Sequence, residues 1–227
     1  MNKKTDLPDG YVPALGYDWL TAIYDPVVQL TTRDTLVKRR LIEEANLDDG
    51  MKVLDLASGT GTLSVMIKQS MSSVDVTGVD GDPKILKIAQ SKAKAANLRI
   101  DFDQALATEL PYPDSSFHRV MSTLFFHHLN RSAKAEALSE VFRVLMPGGR
   151  LMVGDWGRPT GSMMRLLFYP IQWLDGFETT QDNVEGKLPT LIQSAGFEKV
   201  RTLQSINTVF GTLALYSAEK HDPSLPP

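Results

Sequence analysis

The sequence contains no cysteine, and this absence excludes disulfides, thiolate metal sites and cysteine nucleophiles together. It also has no basic excess: a formal net charge of -3 offers nothing to neutralise phosphates, so no nucleic acid is expected among its partners. No apolar run is long enough to span a bilayer, and the lysines near the N-terminus precede no apolar stretch of a signal peptide. We therefore expect a cytoplasmic protein without an integral membrane segment.

What is present fits one well-buried globular domain. The chain has 227 residues, of which 42% are apolar and 22% charged. Strand and helix patterns alternate, which favours βαβ units and a mostly parallel sheet. The predicted strands are 52–57, 75–80, 99–104, 117–124, 150–155, 197–206 and 208–218, and the predicted helices between them are 60–70, 83–96, 131–145 and 183–195. Only a short turn separates the last two strands, so the sheet should close with an antiparallel hairpin.

Two segments lie outside this alternation. A helical pattern over about 17–45 is interrupted by Pro26, and residues 1–49 are predicted to form an N-terminal helical lid on a single domain of residues 1–227. Residues 157–182 are rich in methionine and aromatics and are expected to form a cap insertion after the fifth strand. Within them we expect the stretches 163–173 and 17–24 to be the most mobile parts of the protein without ligand, because a lid must open to admit substrate. The apolar cap side chains predicted to form the wall of an acceptor pocket are Met163, Met164, Leu166, Leu167, Phe168, Tyr169, Ile171, Trp173 and Leu174.

The stretch VLDLASGTGTLSVMI, from Val53 to Ile67, predicts a strand, a glycine turn and a helix. Such a turn presents backbone N–H groups at the carboxyl edge of the sheet, where open α/β sheets bind ligands. Gly59 and Gly61 match the first two glycines of a dinucleotide-binding pattern, but Ser64 stands at the third position. Asp55 separates the alternatives, because a carboxylate is unfavourable beside a pyrophosphate and favourable beside a cation.

The second predicted strand ends in another acid, Asp80, in VTGVDGDPKIL. An acid at this position can accept both hydroxyls of a ribose, a role that NAD and other adenosine ligands share. Asp82, just before Pro83, is better suited to cap the next helix. Two acids around a glycine turn suit S-adenosylmethionine, which carries a ribose, an ammonium group and a sulfonium.

Four motifs, in order and at the expected spacing, resemble the class I S-adenosylmethionine-dependent methyltransferases, in the branch that includes the ubiquinone and menaquinone C-methyltransferases. They read VLDLASGTGTLSVMI, VTGVDGDPKIL, LPYPDSSFHRVMSTLFFHHL and EVFRVLMPGGRLMVGDW, and they cover roughly residues 51–156. The resemblance implies a Rossmann-like, doubly wound α/β fold with a seven-stranded sheet. It also implies S-adenosyl-L-methionine as cofactor and S-adenosyl-L-homocysteine as product. The apolar cap favours an apolar acceptor: a quinone precursor, an isoprenoid-bearing ring or a lipid.

Carried over by position, the resemblance implies a set of cofactor-binding residues. Leu106 stands where relatives often carry an acid, so adenine recognition there should rely on backbone groups near Ala107 and on apolar packing. Either Trp156 or the pair Tyr17 and Tyr24 is expected to contact the sulfonium through ring faces, although both tyrosines equally suit a core position. The full set is Tyr17, Tyr24, Asp55, Ala57, Ser58, Gly59, Gly61, Asp80, Gly81, Asp82, Leu106, Ala107 and Thr123.

Three titratable residues follow strands at the same edge and are the candidate catalytic residues: His127, His128 and Asp155. A base helps when the methyl acceptor must lose a proton, as a phenol or an enol does. A metal site on the adjacent histidines is not expected, because no third ligand is spaced for it. His118, at a strand start, is expected to be structural or partly exposed.

Two other functions stay open on the sequence. An NAD-dependent oxidoreductase would share the fold and Asp80, and a non-catalytic cofactor-binding subunit would share the glycine turn. The sequence leaves open whether the protein is a monomer or a homodimer. Transient contact with a membrane surface is also left open.

Overall fold

Seven strands form one sheet in the computed structural model, which describes residues 33–224. In chain order they are β1 (Lys52–Leu56), β2 (Asp75–Asp80), β3 (Asp101–Gln104), β4 (Phe117–Thr123), β5 (Leu145–Trp156), β6 (Glu198–Asn207) and β7 (Thr212–Glu219). Their spatial order is β3-β2-β1-β4-β5-β7-β6. Strands β1 to β5 pair in parallel, and β7 runs antiparallel to both β5 and β6. The predicted doubly wound sheet with a closing antiparallel hairpin is confirmed.

Eight α-helices are described within residues 33–224, and a short 3-10 helix (Phe126–His128) follows β4. The α-helices are α1 (Asp34–Glu44), α2 (Thr62–Ser70), α3 (Pro83–Ala95), α4 (Arg131–Val144), α5 (Ser162–Leu167), α6 (Tyr169–Asp175), α7 (Phe177–Val184) and α8 (Leu188–Ser194). Asp82 caps α3 as predicted, because its side chain accepts a hydrogen bond from the Lys84 backbone N–H at 2.8 Å. None of these helices is both long and apolar enough to cross a membrane.

Both faces of the sheet are buried under helices. Successive side chains point to opposite faces, so neighbours in sequence enter different apolar clusters. One cluster contains Leu54, Val120 and Leu151 and is covered by α4 and α8. The other contains Val53, Met121 and Met152 and is covered by α1 and α2. Burial on both faces explains why the central strands read as nearly continuous apolar runs.

Three predicted elements differ from the structure by more than two residues at a boundary. The predicted helix 183–195 is two helices, because α7 ends at Val184 and a turn with Gly186 at φ 72° separates it from α8. Strand β5 begins at Leu145, which pairs with Phe117, so the Pro147-Gly148-Gly149 stretch lies inside the strand beside a shift in register. Strand β7 begins at Thr212, because residues 208–211 form a turn closed by the Thr208 backbone N–H and the Gly211 carbonyl.

The cap region, residues 157–182, folds as α5, α6 and most of α7. The Phe168 side chain is buried and does not lie on the outer surface of the cap. Phe168 is only 2% exposed and belongs to the apolar cluster under α1 and α2. Its ring packs edge-on against Trp156, with 5.1 Å between the ring centroids. The prediction that Phe168 forms the acceptor pocket wall is therefore wrong. The large apolar cap side chains that are exposed are Met163, Leu166, Tyr169, Trp173 and Leu174, joined by Phe177.

Polar contacts hold the cap on the sheet domain. Asp182 of α7 pairs with Arg131 and Lys134 of α4, and the buried Lys134 ammonium donates to the Thr179 carbonyl at 2.5 Å. The Asn183 side-chain amide donates to the Trp156 carbonyl at 2.9 Å. These contacts tie the C-terminal part of the cap to α4 and to the end of β5. Cap mobility stays a prediction, and most of the predicted N-terminal lid, including Tyr17 and Tyr24, lies outside the described residues.

Candidate active site

The glycine turn after β1 has three residues with positive φ: Ala57 at 54°, Gly59 at 53° and Gly61 at 73°. Gly61 has no space for a side chain, because an ideal Cβ there would lie 2.8 Å from the Ala89 Cβ. Gly59 is different: an ideal Cβ there would meet no atom within 4 Å. The turn therefore packs α2 closely against α3 on one side and leaves open space beside Gly59 on the other.

Asp80 links the turns that follow β1 and β2. One carboxylate oxygen accepts the Gly59 backbone N–H at 2.9 Å, and the other accepts the Asp82 N–H at 3.0 Å. Burial raises the pKa of Asp80 above its ordinary value, although these hydrogen bonds act in the opposite direction. The Asp80 carbonyl accepts the Ala105 N–H at 3.2 Å, which brings the segment after β3 to the same edge.

Asp55 lies beneath the glycine turn and is only 1% exposed. Ser64, in the first turn of α2, donates its hydroxyl to the Asp55 carboxylate at 2.5 Å. Burial raises the pKa of Asp55 to about 7, and Ser64 and the Lys38 ammonium partly oppose that rise. Ser64 thus stands where a dinucleotide-binding motif has its third small residue, and its hydrogen bond to Asp55 joins β1 to α2. Contact between Asp55 and the cationic part of a cofactor stays a prediction.

The other predicted cofactor residues surround this turn. The Ser58 hydroxyl is buried over β2, and among the described residues it has no hydrogen-bond partner. Leu106 and Ala107 are half-buried, and Leu106 forms an isolated bridge with Glu109. Thr123 ends β4 and pairs with Gly154 of β5. Because β1, β2, β4 and β5 are parallel, their carboxyl ends bring these residues and Gly81 to one edge of the sheet.

Two of the three candidate catalytic residues meet directly. The Nδ1 atom of His127 lies 2.6 Å from one carboxylate oxygen of Asp155, and both side chains are buried. The Trp156 backbone N–H also donates to Asp155, at 2.6 Å. Burial alone would raise the pKa of Asp155, but the charge and hydrogen bond of His127 outweigh it and hold that pKa below its ordinary value. Because an ionised Asp155 can only accept this hydrogen bond, the proton lies on His127 Nδ1. Nε2 is then the ring nitrogen that can accept another proton.

His128 and a cap residue complete this cluster. The two histidine rings lie against each other with centroids 3.9 Å apart. Burial, with the nearby charge of His127, lowers the pKa of His128 to about 3, so its imidazole is neutral at physiological pH. Asp175, the last residue of α6, has carboxylate oxygens 3.6 Å from His127 Nε2 and 4.0 Å from His128 Nδ1.

Sequence reasoning did not identify Asp175. The structure brings in this third residue with a metal-ligating side chain, although none was expected from the spacing of the histidines. The apolar composition of the cap predicted apolar contacts only, so Asp175 at the end of α6 was not among the predicted site residues. His118, in contrast, is structural as expected, because its Nδ1 atom accepts the Lys52 backbone N–H at 3.0 Å.

Comparisons with known proteins agree with this geometry. A family model described as a methyltransferase domain matches residues 53–149. Over 204 residues the chain is 30% identical to the ubiquinone/menaquinone biosynthesis C-methyltransferase UbiE of Shewanella pealeana, covering 81% of this chain and 79% of that enzyme. Over 131 residues it is 38% identical to the demethylmenaquinone methyltransferase of Thermus thermophilus, covering 58% of this chain and 59% of that enzyme. The chain thus spans less than two thirds of the length of this second relative.

Solved structures share the fold. A methyltransferase from Methanosarcina mazei that uses S-adenosylmethionine gives a TM-score of 0.63 at 22% identity, covering 80% of this chain and 97% of that one. One from Aquifex aeolicus gives a TM-score of 0.61 at 16% identity, covering 88% and 96%. At such identities the likeness shows the fold alone.

The strand order, the glycine turn and the family model together place the chain among the class I S-adenosylmethionine-dependent methyltransferases. Within that class it belongs to the ubiquinone/menaquinone C-methyltransferase family. The cofactor of this family is S-adenosylmethionine, as the sequence predicted, and the NAD-dependent alternative is not favoured.

The residues at the carboxyl edge fit this cofactor. The open space beside Gly59 lets a ligand approach the backbone of the turn, and the Asp80 carboxylate is fixed there by two N–H groups. A carboxylate oxygen accepts more than one hydrogen bond, so Asp80 can still accept from ribose hydroxyls. The unpartnered hydroxyl of Ser58 adds a polar group to the same turn.

Replacing Asp80 with alanine is expected to weaken the binding of S-adenosylmethionine by about 10 to 150-fold. The substitution removes a charged acceptor from the ribose, a loss of about 1.5–3 kcal/mol. Isothermal titration calorimetry measures the affinity directly. Asp55→Asn should also weaken binding, and more for S-adenosylmethionine than for S-adenosylhomocysteine if the carboxylate acts on the sulfonium.

Asp82 belongs to the predicted cofactor set, but its side chain caps α3. Asp82→Ala therefore provides the matched control, because it removes the neighbouring helix cap and about 0.5–2 kcal/mol of stability. Its affinity for the cofactor should stay within a few-fold of wild type. Equal losses of cofactor affinity in Asp80→Ala and Asp82→Ala would mean that binding depends on the fold of the whole turn. The ribose contact of Asp80 would then be rejected.

Proposed function

We propose that the protein transfers the methyl group of S-adenosylmethionine to a ring carbon of a small, hydroxylated, quinone-type acceptor. The buried pair of Asp155 and His127 at the carboxyl edge of the sheet carries this proposal. A pair of this kind removes a proton from an acidic hydroxyl, and it lies at the same edge as the glycine turn. The names of the relatives support a quinone-type substrate for them, and the exposed apolar cap supports an apolar acceptor here.

When bound, the cofactor would supply a methyl group activated by a positively charged sulfur, which keeps the electron pair of the carbon–sulfur bond when the methyl group leaves. Asp80 and the backbone of the glycine turn hold the ribose and the methionine end in a fixed orientation. The Nε2 atom of His127 takes the proton of the acceptor hydroxyl, and the electron pair left on the oxygen makes the neighbouring ring carbon nucleophilic enough to bond to the methyl group. The methylated ring carbon then loses its hydrogen as a proton to solvent, and His127 returns its proton to the oxygen, which restores the aromatic hydroxyl. Asp155 keeps the His127 ring oriented and stabilises its charged form.

The finer expectations about partners and location belong to the same proposal. The net charge of -3 supports a protein that binds no nucleic acid. The exposed side chains of Trp173 and Leu174 support transient contact with a membrane surface, from which an apolar acceptor would be drawn. We propose a cytoplasmic enzyme with an N-terminal lid over residues 1–49 and a cap over residues 157–182, active as a monomer or a homodimer.

The test is turnover with labelled cofactor. The protein is incubated with S-adenosylmethionine carrying a labelled methyl group and with chemically reduced demethylmenaquinone, and the product is analysed by mass spectrometry. We expect a product with one labelled methyl on the ring. A cell extract in place of the single acceptor extends the search to other small molecules.

Cofactor binding is measured separately from turnover. At about 100 times its dissociation constant, S-adenosylmethionine should add roughly 2.7 kcal/mol to the free energy of unfolding, whereas NADH should add nothing. A shift without labelled product from any acceptor would identify a non-catalytic cofactor-binding subunit. No thermal shift at saturating S-adenosylmethionine would reject the proposed function.

A further inference from the structure

The cap brings a carboxylate to the two histidines of the active site. His127 and His128 follow β4, and Asp175 ends α6. The two Asp175 oxygens lie 3.6 Å from His127 Nε2 and 4.0 Å from His128 Nδ1, which is too long for hydrogen bonds. The atoms that the three residues offer all lie within 4.8 Å of one another. A position between them is therefore within reach of all three side chains.

The atoms around this position are two imidazole nitrogens and a carboxylate oxygen. Zinc and the neighbouring divalent transition metals bind this combination, whereas calcium and magnesium take oxygen ligands. Two ligands of a tetrahedral zinc ion with bonds of about 2.1 Å are about 3.4 Å apart. The 3.6 Å separation is close to that value, and the wider separations require the cluster to tighten. Rotation of the Asp175 and His128 side chains can tighten it, because they are 23% and 20% exposed.

Asp155 orients His127 as a metal ligand. Its carboxylate lies 2.6 Å from His127 Nδ1, and this contact directs Nε2 towards Asp175. A histidine that binds a metal through one ring nitrogen almost always donates the other N–H to a carboxylate, a carbonyl or water. Asp155 is itself held by the Trp156 backbone N–H at 2.6 Å. The cluster thus has the outer hydrogen bonds of a metal site as well as its ligands.

The charges around the cluster favour a divalent cation. Asp155 is buried and ionised, and Asp175 adds a second carboxylate. Lys134 of α4 lies near Asp155, but it also pairs with Asp182 at 3.7 Å. Imidazoles bind a metal in their neutral form, so the loaded cluster has two carboxylates and no cation of its own besides the ion. A divalent ion balances that charge, which would otherwise be costly to bury.

We propose that His127 Nε2, His128 Nδ1 and the Asp175 carboxylate bind one divalent transition metal ion of the zinc class. Three protein ligands leave the fourth position of a tetrahedral ion open to water. The bond to the metal uses the electron pair of Nε2 that takes the acceptor proton in the proposed function. A bound ion therefore blocks proton transfer, and zinc inhibits the enzyme. The inhibition rests on the proposed function, whereas the metal site does not.

Cobalt is the probe for the site, because Co²⁺ takes the place of zinc and its visible absorption reports tetrahedral coordination. Protein without a histidine tag, titrated with Co²⁺, should bind one ion per chain, and zinc should displace it. Asp175→Ala removes a ligand and should weaken cobalt binding at least tenfold. Asp155→Asn removes the outer hydrogen bond and should weaken it by about 10 to 100-fold. No tetrahedral cobalt spectrum, or equal affinity in wild type and Asp175→Ala, would overturn the proposal.

Two control variants separate this site from surface binding and from cap stability. His221 lies 3.2 Å from Glu198 on the surface, and His221→Gln should keep the cobalt affinity of wild type. Asp182→Asn weakens the pairing of the cap with α4 without removing a ligand, so it should bind cobalt more tightly than Asp175→Ala does. A loss in His221→Gln as large as that in Asp175→Ala would place the ion on the surface. The same loss in Asp182→Asn would mean that Asp175 acts only through the cap, and either result would reject the site.

Inhibition is measured separately from binding. Zinc should lower the rate of methyl transfer, and a chelator should restore it. The zinc concentration for half inhibition should rise at least tenfold in Asp175→Ala, with each rate compared with that of the same variant free of metal. If the protein binds cobalt as expected but methylates no acceptor with or without metal, the proposed function fails and the metal site stands. Full turnover with the ion bound would overturn the inhibition.

Discussion

Replacing Phe168 with alanine is expected to lower the free energy of unfolding by about 3–5 kcal/mol. The ring is 2% exposed, packs against Trp156, and fills the space where Gly211 has no side chain. Its loss would leave a cavity between the cap and the sheet that the surrounding strands cannot fill. For a domain of this size the melting temperature should fall by roughly 6–20 °C, measured by calorimetry or circular dichroism.

Trp173→Ala is the matched control in the same cap, because Trp173 is 78% exposed. Its free energy of unfolding should change by no more than about 0.5 kcal/mol. If Trp173 lines the path of an apolar acceptor, this variant should instead raise the Michaelis constant for the acceptor and leave cofactor affinity within a few-fold. A Phe168→Ala variant as stable as wild type would mean that the cap is not packed on the core.

The substitution Asp155→Asn is expected to lower kcat by about 10²–10⁴-fold, the usual contribution of a positioned acid or base. An amide at this position cannot stabilise the charged form of His127, and it no longer fixes the proton on Nδ1. The measurement is steady-state kinetics with the acceptor identified by labelled methyl transfer. Cofactor affinity should stay within about threefold, because Asp155 touches His127 and the Trp156 backbone and not the glycine turn.

His118→Gln is the control for this experiment. His118 is a half-buried histidine at the start of β4, at the opposite end of the strand from the site, and it accepts a hydrogen bond from the Lys52 backbone. Its kcat should equal that of wild type. If Asp155→Asn keeps the kcat of wild type, the pair of Asp155 and His127 is structural. The proton-transfer step of the proposed function would then be withdrawn.

The sequence by itself determined the order of the elements and the cofactor edge. The apolar strands, the glycines of the turn, and Asp82 before Pro83 act through local geometry, which neighbouring residues specify. Asp80 and Asp155 end parallel strands, so topology alone brings them to the same edge. The family motifs consist of these local features. The strand order β3-β2-β1-β4-β5-β7-β6 agrees with the doubly wound fold that those motifs predict.

Tertiary structure alone decided how the cap meets the sheet. Periodicity showed an apolar cap but not which aromatic enters the core, because helices of six to eight residues contain too few turns to define one buried face. Phe168 is buried and Trp173 exposed because the space between Trp156 and Gly211 accepts one ring. Asp175 meets His127 and His128 only because Asp182 and Asn183 hold the following helix on α4 and β5. Such contacts join residues far apart in the chain, and no spacing along the sequence encodes them.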